Sequence, residues 1–492
     1  GAGFMLVYLK ERDEIIAVDY LGSSPSNSNI QDLFGVKLPR NYEKADRDIV
    51  RYGYKASTVP GTVAGLIEAH ANFGRLPLSS VLKPVIEQAR NGIKVSYDLY
   101  MALESSSQLK KNKESRKIFF NNGSAVAENT ILKREDLAQT LEKIAAEGKK
   151  GFYEGETAQK IVAAMHNNGG FISLEDLESY SPIFSEPIRT DYRLHPIFAP
   201  RPPSGGAIVV LDALNILENF DLGRYKSNSA ATYHLLAEAL RRGHMDRSRH
   251  IGDPSFYDVP VESIISKKRA RELKKTINFK SASSYKSMSP DDFLEESKDT
   301  THYSIIDEDG NAVSNTFTLG YSFGSGVTIP GTGILMNNHM NNFAYRYGDK
   351  SIRGRAASPA NKFDSGKRPM STMTPVMVFN REGDLKLITG SPGGAKIPAA
   401  VLRVITGIID FNLGIGEATM LPRIHKDWPY EDLDYESTAS SDVILTLTRG
   451  LGHRTKPANT MGSTQSIHIK DGFNHGYADL RRPNAGVAIQ TH

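Results

Sequence analysis

The sequence predicts an α/β fold, and three features of the chain lead to that prediction. Several segments in the first half place apolar residues three and four positions apart, which is the spacing of amphipathic helices. The second half begins with two strand-like segments around a polar turn, Asp307 to Asn311, a pattern typical of a β-hairpin. The chain also opens on an apolar segment, Gly1 to Leu9, that we interpret as a strand.

The individual elements follow in chain order. Four helices with helical apolar spacing are expected first, and an apolar helix is expected directly after Ser204-Gly205-Gly206. Strands dominate from Thr300 onward, and a buried helix follows a Ser-Pro-Gly-Gly turn. The predicted helices are 63–73, 81–90, 137–146, 158–165, 207–217, 229–242 and 398–409, and the predicted strands of the second half are 302–306, 312–319, 374–380 and 385–389.

Composition excludes several classes of protein. The chain has 492 residues without a linker-like stretch, and 39% of them are hydrophobic, which is enough for a large core. Its basic residues are scattered and the net charge is only +4, so we expect no nucleic-acid surface. No apolar run approaches the ~20 residues of a membrane helix. The chain has no cysteine and no H-E-x-x-H motif, and its histidines are dispersed. We therefore expect no thiol chemistry, metal or cofactor.

Thr300 is the residue with the most informative surroundings. It lies within Asp299-Thr300-Thr301-His302-Tyr303-Ser304, at the start of the predicted hairpin. A threonine hydroxyl is a weak nucleophile unless a base activates it, and a free α-amine on the same residue can act as that base. Such an amine exists only if the peptide bond between Asp299 and Thr300 is cut. The alternative interpretation is a Thr-rich start of an ordinary strand.

Several further segments occur in the order found in one known family. Together with the segment around Thr300, they resemble the γ-glutamyltranspeptidase family of N-terminal nucleophile hydrolases. The resemblance implies a four-layer αββα sandwich and self-cleavage into a large-subunit segment, 1–299, and a small-subunit segment, 300–492, that stay associated as one unit. It also implies that an N-terminal piece precedes Gly1. The matching segments are Gly1 to Leu6, Thr58 to Gly65, Arg201 to Gly206, Gly252 to Pro254, Asp309 to Val313, Gly390 to Gly394 and Gly476 to Asp479.

The resemblance assigns roles to the residues that match the family's catalytic motifs. Thr300 corresponds to the nucleophile, and Thr318, 18 residues later, to the threonine that hydrogen-bonds it. Gly393 and Gly394 correspond to the backbone donors of the oxyanion hole, which stabilise the tetrahedral intermediate of acyl transfer. Taken without the family, Thr318 is a β-branched residue favoured in strands, and Pro-Gly-Gly is an ordinary turn.

The acyl-binding positions depart from the family. Ser371 and Thr372 match a Ser-Ser pair that holds the substrate's α-carboxylate. The family's carboxylate-reading arginine follows an Asp-Phe pair, whereas this chain has Leu21 after Asp19-Tyr20. The family reads the substrate ammonium with an aspartate, which is Asn342 here, and His339 replaces a residue that is often Gln or Glu. These changes predict an acyl pocket with fewer charges.

Further positions bear on the same pocket. Gly320 replaces an asparagine of the family, two positions after Thr318, and together with Leu21 it predicts a roomier acyl pocket. Substitutes for the missing charges are expected, if present, among four cations in or beside the segment that lies near the site in the family. Surface charge is the alternative interpretation for most of them. The four cations are Arg353, Arg355, Lys367 and Arg368.

Three functions are compatible with these features. The first is a self-cleaving amide hydrolase or acyltransferase with an altered acyl specificity, for which β-lactam acylases of the wider family are an analogue. The second is an ordinary glutathione γ-glutamyl transferase or hydrolase with compensating contacts, and the third is a non-catalytic binding relative. All three bind a small amide or γ-glutamyl-like molecule. An unrelated hydrolase is disfavoured, because the G-x-S-x-G match at Gly320 to Gly324 precedes a segment unsuited to a helix.

Overall fold

The structure is a computed structural model that describes residues 1–35, 48–284, 300–347, 350–351 and 359–490. Most of its strands belong to two large sheets, and the others form one three-stranded sheet and three two-stranded pairs among the described residues. The strands are β1 Ala2–Leu9, β2 Glu14–Asp19, β3 Ile93–Lys94, β4 Phe120–Asn121, β5 Ser124–Ala125, β6 Ile131–Leu132, β7 Ile183–Ser185, β8 Ile188–Tyr192, β9 His195–Ala199, β10 Thr301–Ile306, β11 Ala312–Thr318, β12 Arg346–Tyr347, β13 Lys350–Ser351, β14 Val376–Phe379, β15 Leu385–Thr389, β16 Ile424–His425, β17 Asp432–Glu436, β18 Arg454–Ala458, β19 Gln465–Lys470 and β20 Phe473–Ala478.

Helices surround the sheets and make up most of the first half of the chain. They are α1 Ile30–Phe34, α2 Asp48–Arg51, α3 Thr62–Phe73, α4 Leu78–Asn91, α5 Tyr97–Ser105, α6 Ser107–Lys111, α7 Lys113–Phe119, α8 Glu135–Glu147, α9 Lys150–Tyr153, α10 Gly155–Asn167, α11 Leu174–Glu178, α12 Gly205–Leu217, α13 Ala230–His250, α14 Val261–Ile264, α15 Lys267–Lys275, α16 Ile397–Ile409, α17 Ile415–Met420 and α18 Ser441–Leu445.

The two large sheets are antiparallel, and each combines strands from both halves of the chain. The first sheet has the order β10-β11-β1-β2-β7, and the second has the order β20-β19-β15-β14-β9-β8. Thr300 immediately precedes β10, an edge strand of the first sheet.

The sheets pack face to face because alternate residues of their strands point into a shared apolar layer. Leu6 and Tyr8 of β1 lie in this layer with Met377 and Phe379 of β14 and Ile388 of β15. Alternation along β14 sends the neighbouring Val376 and Val378 to the opposite face, where they join a helix-lined core. The second sheet is therefore buried on both faces.

Helices cover the outer face of each sheet. All of α12 is buried, and it shares a large core with α13, α16 and the outer face of the second sheet. On the outer face of the first sheet, Met5, Val7, Val18 and Tyr20 pack with Ala69 of α3. The order of layers is helix, sheet, sheet, helix, which confirms the predicted αββα sandwich.

The predicted helices and strands are all present, with small differences at their ends. The largest difference is in α13, which was expected to end at Arg242, before a glycine, but continues to His250. Gly243 lies against α12, where a Cβ would be 2.9 Å from the carbonyl oxygen of Val209. Close helix packing therefore requires glycine here. Among the described residues, no helix is long and apolar enough to cross a membrane.

Candidate active site

The hairpin of β10 and β11 places Thr300 opposite Thr318. Thr301 pairs with Phe317, and one further step of the same antiparallel register brings Thr300 to Thr318. Thr300 is only 6% exposed, and its carbonyl oxygen accepts a hydrogen bond from Nη1 of Arg482 at 3.1 Å. The predicted cleavage partner, Asp299, lies outside the described residues.

Thr318 ends the central strand β11, whose other neighbour is β1. Its Oγ1 accepts a hydrogen bond from the backbone N–H of Gly320 at 2.9 Å, so the hydroxyl also shapes the turn that follows the strand. The position is that expected for a group that supports a nucleophile at Thr300. The direct hydrogen bond between these two hydroxyls stays a prediction.

The turn with the proposed oxyanion donors follows β15 of the second sheet. Gly393 has a φ of +136° and Gly394 a φ of +57°, which are conformations that residues with a Cβ rarely adopt. A Cβ on Gly393 would also lie 3.0 Å from Cα of Gly462. Gly394 begins a short 3₁₀ turn that leads into α16, and N–H groups at a helix start have no acceptor within the helix. The turn thus combines glycine-specific geometry with a source of backbone donors.

A buried histidine connects the turn to the strand of Thr300. His302 is 4% exposed and lies two residues after Thr300, and its imidazole contacts Gly390, the first residue of the turn. A second contact between the sheets lies nearby, where Oγ of Ser314 donates to the carbonyl oxygen of Thr389 at 3.2 Å. The two sheets therefore bring the start of the turn against the strand of Thr300.

His339 lies close to the end of β11. Its Cδ2 is 3.4 Å from the point where a Cβ on Gly320 would lie. The side chain is 2% exposed, and neither ring nitrogen has a hydrogen-bond partner among the described residues. Burial lowers the pKa of His339 to about 3, so the ring is neutral near neutral pH. A buried polar group near the end of the strand of Thr318, with no hydrogen-bond partner in the described part of the chain, is a candidate for ligand contact.

The additional room expected at Gly320 is absent. Gly320 has a φ of +98°, and a Cβ there would lie 1.9 Å from Oδ1 of Asn338, an atom that accepts from the N–H of Tyr321. The glycine is required by a tight turn and by the Asn338 side chain. Asn342, at the end of the same short helical turn as His339, is half-buried, and its carbonyl oxygen accepts from Nδ2 of Asn361.

Leu21 belongs to the apolar core, since its side chain is 2% exposed and packs in the cluster that contains Ala2 and Phe4. Ser371 and Thr372 are buried beside the start of α12. The carbonyl oxygen of Ser371 accepts from the N–H of Gly205 at 2.7 Å, and a Cβ on Gly206 would lie 2.1 Å from the carbonyl oxygen of Thr372. The structure therefore joins the Ser-Thr pair to the Pro-Pro-Ser-Gly-Gly segment.

The described candidates for compensating charge are engaged in structural contacts. Arg368 forms an ion pair with Asp19 at 3.1 Å and donates to the carbonyl oxygens of Asp19 and Ser181. Lys367 donates to the carbonyl oxygens of Ala360 and Lys362. The other two candidates, Arg353 and Arg355, lie outside the described residues.

Sequence reasoning missed two other groups. His302 and Arg482 were not assigned roles, because their contacts join distant parts of the chain. The dispersed histidines also hid a buried group in which His234, Glu238 and His453 approach within 4.8 Å. His234 is 2.8 Å from His453, and Glu238 pairs with Arg242 at 2.7 Å. A hydrogen bond thus joins the two histidines, while Glu238 is paired with Arg242.

Comparison with known proteins agrees with this geometry. The model of the family described as gamma-glutamyltranspeptidase matches residues 1–489. The glutathione hydrolase proenzyme of Escherichia coli (strain K12) is 36% identical over 485 residues, which cover 98% of this chain and 82% of that protein. The acylase ACY 1 proenzyme of Pseudomonas sp. (strain V22) is 32% identical over 492 residues, covering 99% of this chain and 85% of that protein.

A solved structure extends the likeness to the fold. The crystal structure of cephalosporin acylase from Bacillus halodurans superposes with a TM-score of 0.85 at 27% identity, covering all of this chain and 87% of that one. The relatives thus include hydrolases and acylases made as proenzymes. The family match, the identities and the shared architecture together establish that the chain belongs to the γ-glutamyltranspeptidase family.

Proposed function

We propose that the chain cuts itself before Thr300 and then transfers an acyl group from a small amide to water or an amine. One observation carries the proposal: the strand register sets Thr300 opposite Thr318, on a strand that contacts the glycine turn of the facing sheet. The names of the relatives, which include proenzymes of a glutathione hydrolase and an acylase, support the same chemistry.

Self-cleavage proceeds in two balanced steps. Oγ of Thr300 attacks the carbonyl carbon of Asp299, the amide C–N bond breaks, and the hydroxyl proton ends on the released nitrogen. Water then hydrolyses the resulting ester, which leaves a carboxyl group on residue 299 and a free amine and hydroxyl on Thr300.

Turnover uses the new amine as the base. It takes the Oγ proton of Thr300 while Oγ attacks the substrate carbonyl, and the N–H groups of Gly393 and Gly394 stabilise the oxyanion. The leaving amine receives the proton, and an acyl ester remains on Thr300. Water or a second amine attacks that ester, which releases the acyl group and regenerates the hydroxyl.

The proposed acyl group lacks the paired charges of a γ-glutamyl group. Leu21 and Asn342 are uncharged at the two charge-reading positions, Arg368 is paired with Asp19, and His339 is neutral. Each charge-assisted hydrogen bond contributes about 1.5–3 kcal/mol. The loss of two such bonds therefore reduces the preference for a γ-glutamyl group over a neutral acyl group by about 10²–10⁴-fold. The second candidate is glutathione hydrolysis, which the 36% identity to the Escherichia coli proenzyme favours.

Intact mass of the purified protein tests the cleavage. Two pieces of 299 and 193 residues (492 − 299) are expected for the sequence given, and one uncut chain is expected for Thr300→Ala. An uncut parent protein without turnover would refute the proposal and favour a non-catalytic binding relative.

Matched anilides then test the acyl group. We expect faster turnover of neutral acyl anilides than of the γ-glutamyl anilide, with none for Thr300→Ala. A strong preference for the γ-glutamyl compound would instead establish glutathione-type chemistry.

A further inference from the structure

His302 lies between the strand of the nucleophile and the facing sheet, and its hydrogen bonds fix its tautomer. Oγ of Ser304 donates to the carbonyl oxygen of Gln465 at 2.8 Å, so it accepts from Nε2–H of His302 at 3.1 Å. Nδ1 of His302 then accepts from Oγ1 of Thr316 at 2.8 Å. Both ring nitrogens are satisfied by the nucleophile strand and its partner β11.

The same ring presses on the backbone of the second sheet. A Cβ on Gly390 would lie 2.2 Å from Cε1 of His302 and 2.3 Å from Nδ1, so the imidazole occupies the space beside the glycine. The carbonyl oxygen of Gly390 accepts from the N–H of Gln465 at 3.2 Å. His302, Ser304, Gln465 and Gly390 thus form a closed loop of contacts across the two sheets.

The rest of the turn is held from the other side. Ser463 donates its backbone N–H to Oγ of Ser391 at 2.9 Å, and Gly462 lies against Gly393. The turn is thus contacted on one side by His302, at Gly390, and on the other by Gly462 and Ser463. The imidazole of His302 is thus the side chain that separates β10 from Gly390, the residue at which the turn carrying Gly393 and Gly394 begins.

We propose that His302 is a positioning residue, which sets the separation between the Thr300 hydroxyl and the oxyanion donors by acting through Gly390. The proposal rests on the proposed function. Its chemistry requires donors within about 2.7–3.1 Å of the oxyanion, and a misplacement of about 1 Å lowers the rate roughly 10²-fold. Burial lowers the pKa of His302 to about 3, so it works as a neutral spacer and not as the base.

A comparison of two buried histidines tests the proposal. His468 is the matched control, since it is 4% exposed and lies on β19 of the second sheet, on the face that carries Ser466. We expect His302→Ala to lower kcat about 10²-fold while KM for the acyl donor stays within about threefold. His468→Ala is expected to lower the thermal midpoint of unfolding by about as much as His302→Ala does, but to keep kcat within about threefold of the parent.

A double substitution guards against simple misfolding. Gly390→Ala alone should lower kcat, because its Cβ collides with His302. The double variant, Gly390→Ala with His302→Ala, should have a kcat about tenfold higher than Gly390→Ala alone, because the added methyl fills part of the space left by the imidazole. Unchanged kcat in His302→Ala, an equal loss in His468→Ala, or no recovery in the double variant would overturn the proposal. An inactive, uncut parent would overturn the proposed function and this inference with it.

Discussion

Replacing Arg368 with methionine removes a buried ion pair that joins the two halves of the chain. The side chains of Arg368 and Asp19 are 10% and 15% exposed, and the guanidinium also donates to the carbonyl oxygens of Asp19 and Ser181. Removing one partner of a buried pair leaves an uncompensated charge, so we expect the free energy of unfolding to fall by about 3–5 kcal/mol. Urea titration followed by fluorescence of the single tryptophan, Trp428, measures this loss.

The measurement is best made with Thr300→Ala in both proteins, because one uncut chain keeps unfolding independent of concentration. A double variant, Asp19→Asn with Arg368→Met, removes both charges and should lose less stability than Arg368→Met alone. A loss below about 1 kcal/mol in Arg368→Met would refute the role given to this pair.

The pH dependence of the same variant follows from Asp19. Burial already raises the pKa of Asp19, and Arg368 opposes that rise. Without Arg368 the folded-state pKa rises further above the unfolded value, so ionisation costs stability as pH increases through the folded pKa. The deficit of Arg368→Met should therefore be greatest at neutral pH and should shrink on acidification. A deficit that grows on acidification would contradict this account.

Three further predictions concern other parts of the molecule. Burial, and then the charge of Asp246, raise the pKa of Asp212, so Asp212→Asn should unfold at a higher temperature than the parent at alkaline pH and match it at low pH; equal midpoints throughout would contradict this. Gly393→Ala should lower kcat about 10²–10³-fold, because φ of +136° and contact with Gly462 exclude a Cβ. Thr318→Val should lower kcat/KM roughly tenfold to a hundredfold, because it removes the predicted hydrogen bond to Thr300 and also the acceptor of the Gly320 N–H. Unchanged kinetics in Gly393→Ala or in Thr318→Val would refute the role given to the substituted residue.

Much of the fold was predictable from local sequence, while contacts between distant segments were not. The β10–β11 hairpin follows from alternation and turn residues that are close in sequence, and its register sets Thr318 opposite Thr300, while the catalytic role of Thr318 stays a prediction. Gly320 was misjudged because the side chain that fills its space, Asn338, comes 18 residues later (338 − 320). Arg368 and Asp19 are 349 residues apart in the sequence (368 − 19), so no local pattern could reveal their pairing.

Each large sheet contains strands from both halves of the chain, and this affects whether the protein can refold after it has been cut. Each sheet has a single seam between the halves of the chain, β1 against β11 in one and β9 against β14 in the other. If the halves separate after a cut, each seam becomes an open strand edge, and such edges aggregate. A cut protein that is denatured should therefore fail to re-form, whereas an uncut chain keeps its halves together and can fold again. After cleavage, a protein molecule that unfolds would therefore not return to its active state.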